Sequence, residues 1–316
     1  MKKITLMLLL VLSAFMLHAQ KTIRELADLP DKKLDKLIAT DNYASQVKSF
    51  AKNYQKQTGK TLPDPLVPQL KRVGLLTFFT ADHSEANVKA MKNGGTYQDF
   101  LTEAGGFKLV TKFYEQSLPE LRAAFQAQGM ELLIPEEYIT TEEQAQVYNS
   151  YEIEVSKLAS ATLKAANYLT KQWDKSYVAV DNYRVFAEPT VINGMDMKVT
   201  RSMGPLAEQL GVDALLTVQI LTSKEKTDVG LNAVRMALHS PNPVPDDPAI
   251  NYGLGFYYEG ILVEYAGMEF EKPIIFAQLP KKANKFQNYQ MEGFDVVTRR
   301  LISKLLGNIQ TDYAGK

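Results

Sequence analysis

Apolar residues run almost without interruption through Arg72 to Thr80 (RVGLLTFFT) and again through Ala214, Leu215, Leu216, Val218, Ile220 and Leu221. A strand with one wet face alternates apolar with polar, so continuous runs of this length predict strands covered on both sides. Just before the second run, Leu206, Ala207 and Leu210 recur at helical spacing, and Gly211 stands where a left-handed residue ends a helix. Met203 to Ser223 is therefore a helix-to-strand unit around which the rest is organised. Met130 to Ile134 (MELLI) reads as a third strand, behind a helical stretch that ends at Gly129. Three strands alternating with helices carry the α/β signature.

Earlier in the chain, Ile23, Leu26 and Leu29, then Leu34, Leu37 and Ile38, then Tyr43, Val47, Phe50 and Tyr54 predict two or three short amphipathic helices. Three prolines in Leu62 to Pro68 forbid a helix there and mark a linker. Asp82 and Glu85 have capping-box spacing and predict a helix over about 84–92. A helix is expected from about Lys108 to Gln128, with a break near Ser117 imposed by Pro119. Thr140 opens a long helix to about Trp173. Its seam of Tyr148, Tyr151, Val155, Leu158, Thr162, Ala165 and Leu169 is heptad-like. Thr and Ala in that seam favour packing on the chain's own sheet, with self-association through the Thr140–Trp173 helix as the alternative.

The pattern changes after Ser223. Tyr177 to Val180, earlier in the chain, is a short strand; beyond Ser223, Val229 to His239, Leu254 to Tyr265 and Pro273 to Leu279 are strands without helices between them, which implies antiparallel hairpins. Ser240 to Tyr252 (SPNPVPDDPAINY) is expected as an exposed, proline-stiffened connection outside the sheet. Phe294, Val297, Leu301, Leu305 and Ile309 predict a closing helix, with Gly307 as its stop. The expected fold is α/β (α+β): a mixed sheet of about five to seven strands, flanking helices, a long helix in the middle and antiparallel hairpins in the C-terminal half. Residues 1–19 are set apart as a leader and 20–68 as a helical segment and linker, leaving 69–316 as the α/β domain with its closing helix.

The leader reading rests on Lys2 and Lys3, the apolar run from Ile4 to Leu12, and Ala19 before Gln20, which together form a secretory signal peptide. Cleavage after Ala19 places the mature chain in the periplasm or medium. No later run approaches the ~20 apolar residues of a spanning helix, so no transmembrane segment is expected after cleavage. There is no cysteine among the 316 residues, which excludes disulfides and a lipid-bearing cysteine. Loss of Lys2 and Lys3 leaves 34 basic residues (36 less two) against 36 acidic ones, no footprint for nucleic acid. Lys281, Lys282 and Lys285 beside Phe286 read as a solvated turn.

Chemistry is thin. Once His18 leaves with the signal, only His83 and His239 remain, far apart in sequence and without cysteine to help, so no zinc site is expected. No nucleophile elbow, phosphate loop or dinucleotide fingerprint is present. The adjacent pairs Glu136-Glu137, Glu142-Glu143 and Asp246-Asp247 read as solvated or helix-start charge. No catalytic, cofactor-binding or metal-binding residue is assigned. The candidate binding residues are Phe256, Tyr257 and Tyr258, an aromatic stripe able to stack on a glycan or peptide, and Pro243 and Pro245, whose stiffness lowers the entropy lost on contact.

The order Arg72 to Thr80, then Phe125-Gln-Ala-Gln-Gly129-Met-Glu-Leu-Leu-Ile-Pro135, then Leu206 to Ile220 with its Leu-Gly-Val-Asp-Ala turn, then hairpins, resembles the TolB amino-terminal domain and the curli-secretion lipoprotein superfamily of bacterial envelopes. The likeness covers about half the mature chain. It implies a non-enzymatic envelope protein that binds or assembles with another envelope protein or polymer. It carries over no catalytic residue, and without a cysteine the pore role of the lipoproteins does not follow. The alternative is an exported hydrolase using carboxylates or His83.

Overall fold

The computed structural model describes residues 22–42, 70–83, 106–151, 177–180, 183–186, 206–241, 260–280 and 285–313, with the single positions 55, 56, 59, 101 and 203. Helices α1 (Ile23–Ala27) and α2 (Asp31–Asp35) lead into strand β1 (Ile38–Asn42) and then β2 (Arg72–Asp82). The long helix α3 (Gly106–Ala127), strand β3 (Glu131–Leu133), and helices α4 (Pro135–Tyr138) and α5 (Glu142–Ser150) follow. Strands β4 (Tyr177–Ala179), β5 (Ala214–Glu225), β6 (Asp228–Pro241) and β7 (Gly260–Gln278), then helix α6 (Phe294–Tyr313), complete the chain.

The strands form one mixed seven-stranded sheet in the order β1-β7-β6-β5-β2-β3, with β4 also on β2. β5 runs parallel to β2 and antiparallel to β6, so it is the seam between a parallel half and an antiparallel half. This is the α/β class with hairpins in the C-terminal half. The near-continuous apolar runs are explained by burial on both faces: Val73 to Phe79 and Ala214 to Leu216 are all buried.

Gly211 closes the helical turn at 206–210 with φ +72°, and Val212 N–H bonds back to the Ala207 carbonyl at 3.0 Å. Asp213 then ties the turn to β2. Its carboxylate accepts the Lys71 and Arg72 amides at 2.7 and 2.8 Å, and its own amide donates to the Arg72 carbonyl at 2.8 Å. Arg72 Nη1 returns a bond to the Gly211 carbonyl at 2.9 Å. The Leu-Gly-Val-Asp sequence thus fixes the first rung of the β2–β5 pair.

One face of the sheet lies under α3 and α6. Phe113 packs edge-on between Phe276 and Phe294, with centroids at 5.2 and 4.6 Å. The other face, over β2 and the start of β5, is covered by α4, α5 and the 206–210 turn through Tyr138, Tyr148, Leu206 and Leu210. Arg300 of α6 grips the Asp35 carboxylate of α2 through Nε and Nη2, both at 2.6 Å, and that hydrogen bonding holds the carboxyl below the usual carboxylate range.

Several expectations are corrected. Ile38 is not helical: it begins β1, which pairs antiparallel with Glu264–Met268, because its buried side chain joins the core beside Met268. α3 passes through Pro119 unbroken. Leu109, Phe113, Ser117, Leu121 and Phe125 carry one buried face across the proline, and that burial outweighs the lost N–H bond. The helix that opens at Glu142 ends at Ser150, where Tyr151 is extended at ψ 127°. The rest of the expected Thr140–Trp173 helix lies outside the described residues, as does the helix over 84–92. Pro273 does not start a separate strand. It sits in β7, where the register jumps from Ala233↔Glu269 to Leu231↔Ile274 and four residues bulge opposite Asn232. Ser240 and Pro241 belong to β6 rather than to a loop; Pro241 is the strand's last residue, beyond the end of β5, where no ladder donor is needed. α6 continues past Gly307 to Tyr313. Lys285 is exposed while Phe286 beside it is buried in the core, and Lys281 and Lys282 lie outside the described residues.

Candidate functional site

On the second face of β5, β6 and β7 the cross-strand register lines up Thr217 with Ala237 and Tyr265, and Gln219 with Arg235 and Gly267. Ala233 and Glu269 form the next row. These positions range from buried Ala233 and Gly267 through half-exposed Thr217, Gln219, Arg235, Ala237 and Tyr265 to exposed Glu269. Gly267 is required by Tyr265. An added Cβ would fall onto the phenol, so the tyrosine ring lies flat along its own strand over the glycine. Arg235 Nε and Nη2 reach Glu269 Oε1 at 3.0 and 2.6 Å, a diagonal pair across two strands. The result is a polar stripe with one flat aromatic ring, chemistry suited to contact with a polar or mixed surface.

At the parallel edge the polar groups are used differently. β3 pairs β2 over Arg72–Gly74 and β4 over Phe79–Ala81, and among the described residues no strand pairs the edge between them. Tyrosines fill the gap. Tyr138 Oη donates to the Leu75 carbonyl at 3.4 Å, and Tyr148 Oη donates to the Leu76 carbonyl at 3.2 Å while accepting the Arg184 amide at 3.0 Å. Thr77 Oγ1 donates to the Arg184 carbonyl at 2.7 Å. The Arg184 guanidinium bonds the carbonyls of Tyr148 and Tyr151 at 2.5 and 2.7 Å and lies 5.0 Å from the centroid of Phe186. Burial pushes the Tyr148 phenol up to about 12 and raises those of Tyr138 and Tyr183 as well. These phenols are protonated donors committed to main chain or to each other, as in the Tyr114–Tyr183 pair at 2.9 Å. Tyr138 and Tyr148 clasp the edge of β2.

The two histidines differ sharply. His83 is exposed just beyond the end of β2, with its amide on the Thr222 carbonyl at 2.6 Å. No group of three His, Cys, Asp or Glu able to hold a metal occurs among the described residues. His239, near the end of β6, is wholly buried, neither ring nitrogen has a hydrogen-bond partner among the described residues, and burial lowers its pKa to about 4.

Pro243, Pro245, Phe256, Tyr257 and Tyr258 lie outside the described residues. Their flanks do not: Pro241 and Gly260, the residues on either side of 242–259, face each other on one rung of the β6–β7 ladder. The sequence reading missed the tyrosine clasp and the Arg235–Glu269 pair. Tyr148 stood out as an apolar seam residue, and nothing in its spacing reveals that its hydroxyl meets a β2 carbonyl. No family model, curated protein or solved structure matches the chain.

Proposed function

We propose that the chain is an exported, non-enzymatic cell-envelope protein, periplasmic or secreted, that binds or helps to assemble another envelope protein or polymer. The observation that supports this most is the single anchoring rung Pro241↔Gly260. Both candidate binding groups, the prolines at 243 and 245 and the aromatics at 256–258, fall in the one connection that it holds. A connection fixed at both ends and stiffened by proline loses less entropy on contact than a free one. The signal-peptide pattern and the resemblance to the TolB amino-terminal domain and curli-secretion proteins point the same way. No helix among the described residues is long and apolar enough to cross a membrane.

Two measurements test the reading. Amino-terminal sequencing of the protein from fractionated cells should give Gln20 in the periplasm or medium, and an intact Met1 in the membrane fraction overturns the localisation. Photocrosslinking in living cells from positions 244 and 257 should trap a defined envelope partner. Replacing residues 242–249 with a Gly-Ser linker should abolish the adduct at unchanged unfolding midpoint. An adduct that persists after the replacement rules the connection out as the contact.

A further inference from the structure

His239 is placed where its neutrality matters. It forms the terminal rung of β6 with β5 (Leu215↔His239) and lies two rungs from the end of the pairing with β7 (His239↔Leu262, Ser240↔Ile261, Pro241↔Gly260). Its described neighbours on the same face are Leu215 across the β5 rung and, along its own strand, Ala237, neither able to accept a proton. The layer over the neighbouring β2–β5 part of that face carries Glu136 and Glu137 on α4, Glu142 and Glu143 on α5 and Glu208 on the helical turn, all exposed on its outer side. The hydroxyls of Tyr138 and Tyr148 in that layer are committed to the Leu75 and Leu76 carbonyls. Among the described residues no facing charge is therefore available to stabilise an imidazolium.

We propose that His239 makes the joined ends of β6 and β7 an acid-sensitive latch: protonation of its buried ring releases the rungs from His239 to Pro241 while the rest of the sheet stays paired. A charged imidazole in this position carries two N–H donors with no acceptor among the described residues, and burying an unpaired cation costs far more than exposing it. The least costly route to water is through the nearest strand end, because it breaks one rung to β5 and three to β7 rather than the whole ladder. Burial alone, with no partner, is what depresses the ring's basicity, so the release belongs to mildly acidic rather than neutral solution. The inference stands on the described strand ends and does not depend on the proposed binding role.

Hydrogen exchange of the full mature chain, corrected for intrinsic rates, tests it at pH 7 and pH 4. In the wild type, amides of 237–241 and 260–263 should lose at least tenfold of their protection at the lower pH, with 214–222 unchanged. His239→Leu should keep the same protection at both. His239→Gln, polar but unable to titrate, serves if the leucine variant does not fold. Equal losses in wild type and variant, or simultaneous loss across all strands, would overturn the latch. Direct NMR titration of the wild-type imidazole gives an independent readout: a His239 pKa at or above 6.5 also overturns it.

Discussion

The β2 edge and the β6–β7 end bury polar groups under opposite terms. At the edge, Tyr138, Tyr148, Thr77 and Arg184 each find a partner, and the two phenols serve the Leu75 and Leu76 carbonyls where no described strand pairs with β2. At the β6–β7 end, neither His239 nitrogen has a partner among the described residues. A satisfied network rigidifies its surroundings across a wide pH range, whereas an unsatisfied titratable group makes stability conditional on solution. The sheet is thus firmly fixed on its parallel side and conditionally fixed where residues 242–259 are attached.

The largest expected effect that separates the two regions is pH-dependent. The folded pKa of His239, about 4, lies below its ordinary 6.5, so its neutral form belongs to the fold. Its contribution is whole above pH 6.5, declines as pH falls toward 4 and is flat below that. The term is at most about 3 kcal/mol at 1.36 kcal/mol per unit. Urea unfolding of wild type and His239→Leu across pH 4–7 should show converging midpoints at neutral pH and a lower wild-type midpoint under acid. Parallel curves would show that the imidazole is not the group that titrates.

Tyr148→Phe addresses the other region. It removes one hydroxyl that serves both the Leu76 carbonyl and the Arg184 amide, so about 2 kcal/mol should be lost, with no pH dependence between 5 and 8. Tyr138→Phe deletes only a long 3.4 Å bond and should cost less, about 1 kcal/mol or under. Equal losses from the two changes would argue that ring packing, rather than the hydroxyl bonds, holds this edge.

What could be read from the sequence follows from the range of the signals. The β2 and β5 strands, the α/β class and the left-handed Gly211 were legible because continuous apolar runs and a glycine between helix and strand are local features. Gly211→Val should accordingly cost about 1–2 kcal/mol from backbone strain at φ +72°, read as a lower urea midpoint; no change would mean that the turn relaxes freely. Pro119 misled because a local helix breaker was outweighed by a buried face extending to both sides of it, and Ile38 misled because its strand partner is more than two hundred residues away. The same separation hid the clasp. The Arg184 amide and the Tyr148 hydroxyl come together through tertiary structure, and no spacing in the chain encodes it.

The smallest expected effect concerns the stripe between the two regions. The Arg235 and Glu269 side chains are 24% and 57% exposed. A pair so open to solvent gains little Coulomb energy and is screened by salt, so a double-mutant cycle with Arg235→Ala and Glu269→Ala should give a coupling of about 0.2–1 kcal/mol that shrinks between 0.05 and 1 M salt. Glu269→Ala alone should cost slightly more than the coupling, because it leaves the less exposed guanidinium without its carboxylate. The salt response matters most. Screening by salt requires that water and ions reach the stripe, which is also what any partner lying against Tyr265 and Arg235 would need. A coupling above about 2 kcal/mol that ignores salt would instead mean a dry, covered face, and the second face of β5–β7 would then be core rather than a surface on which contact can occur.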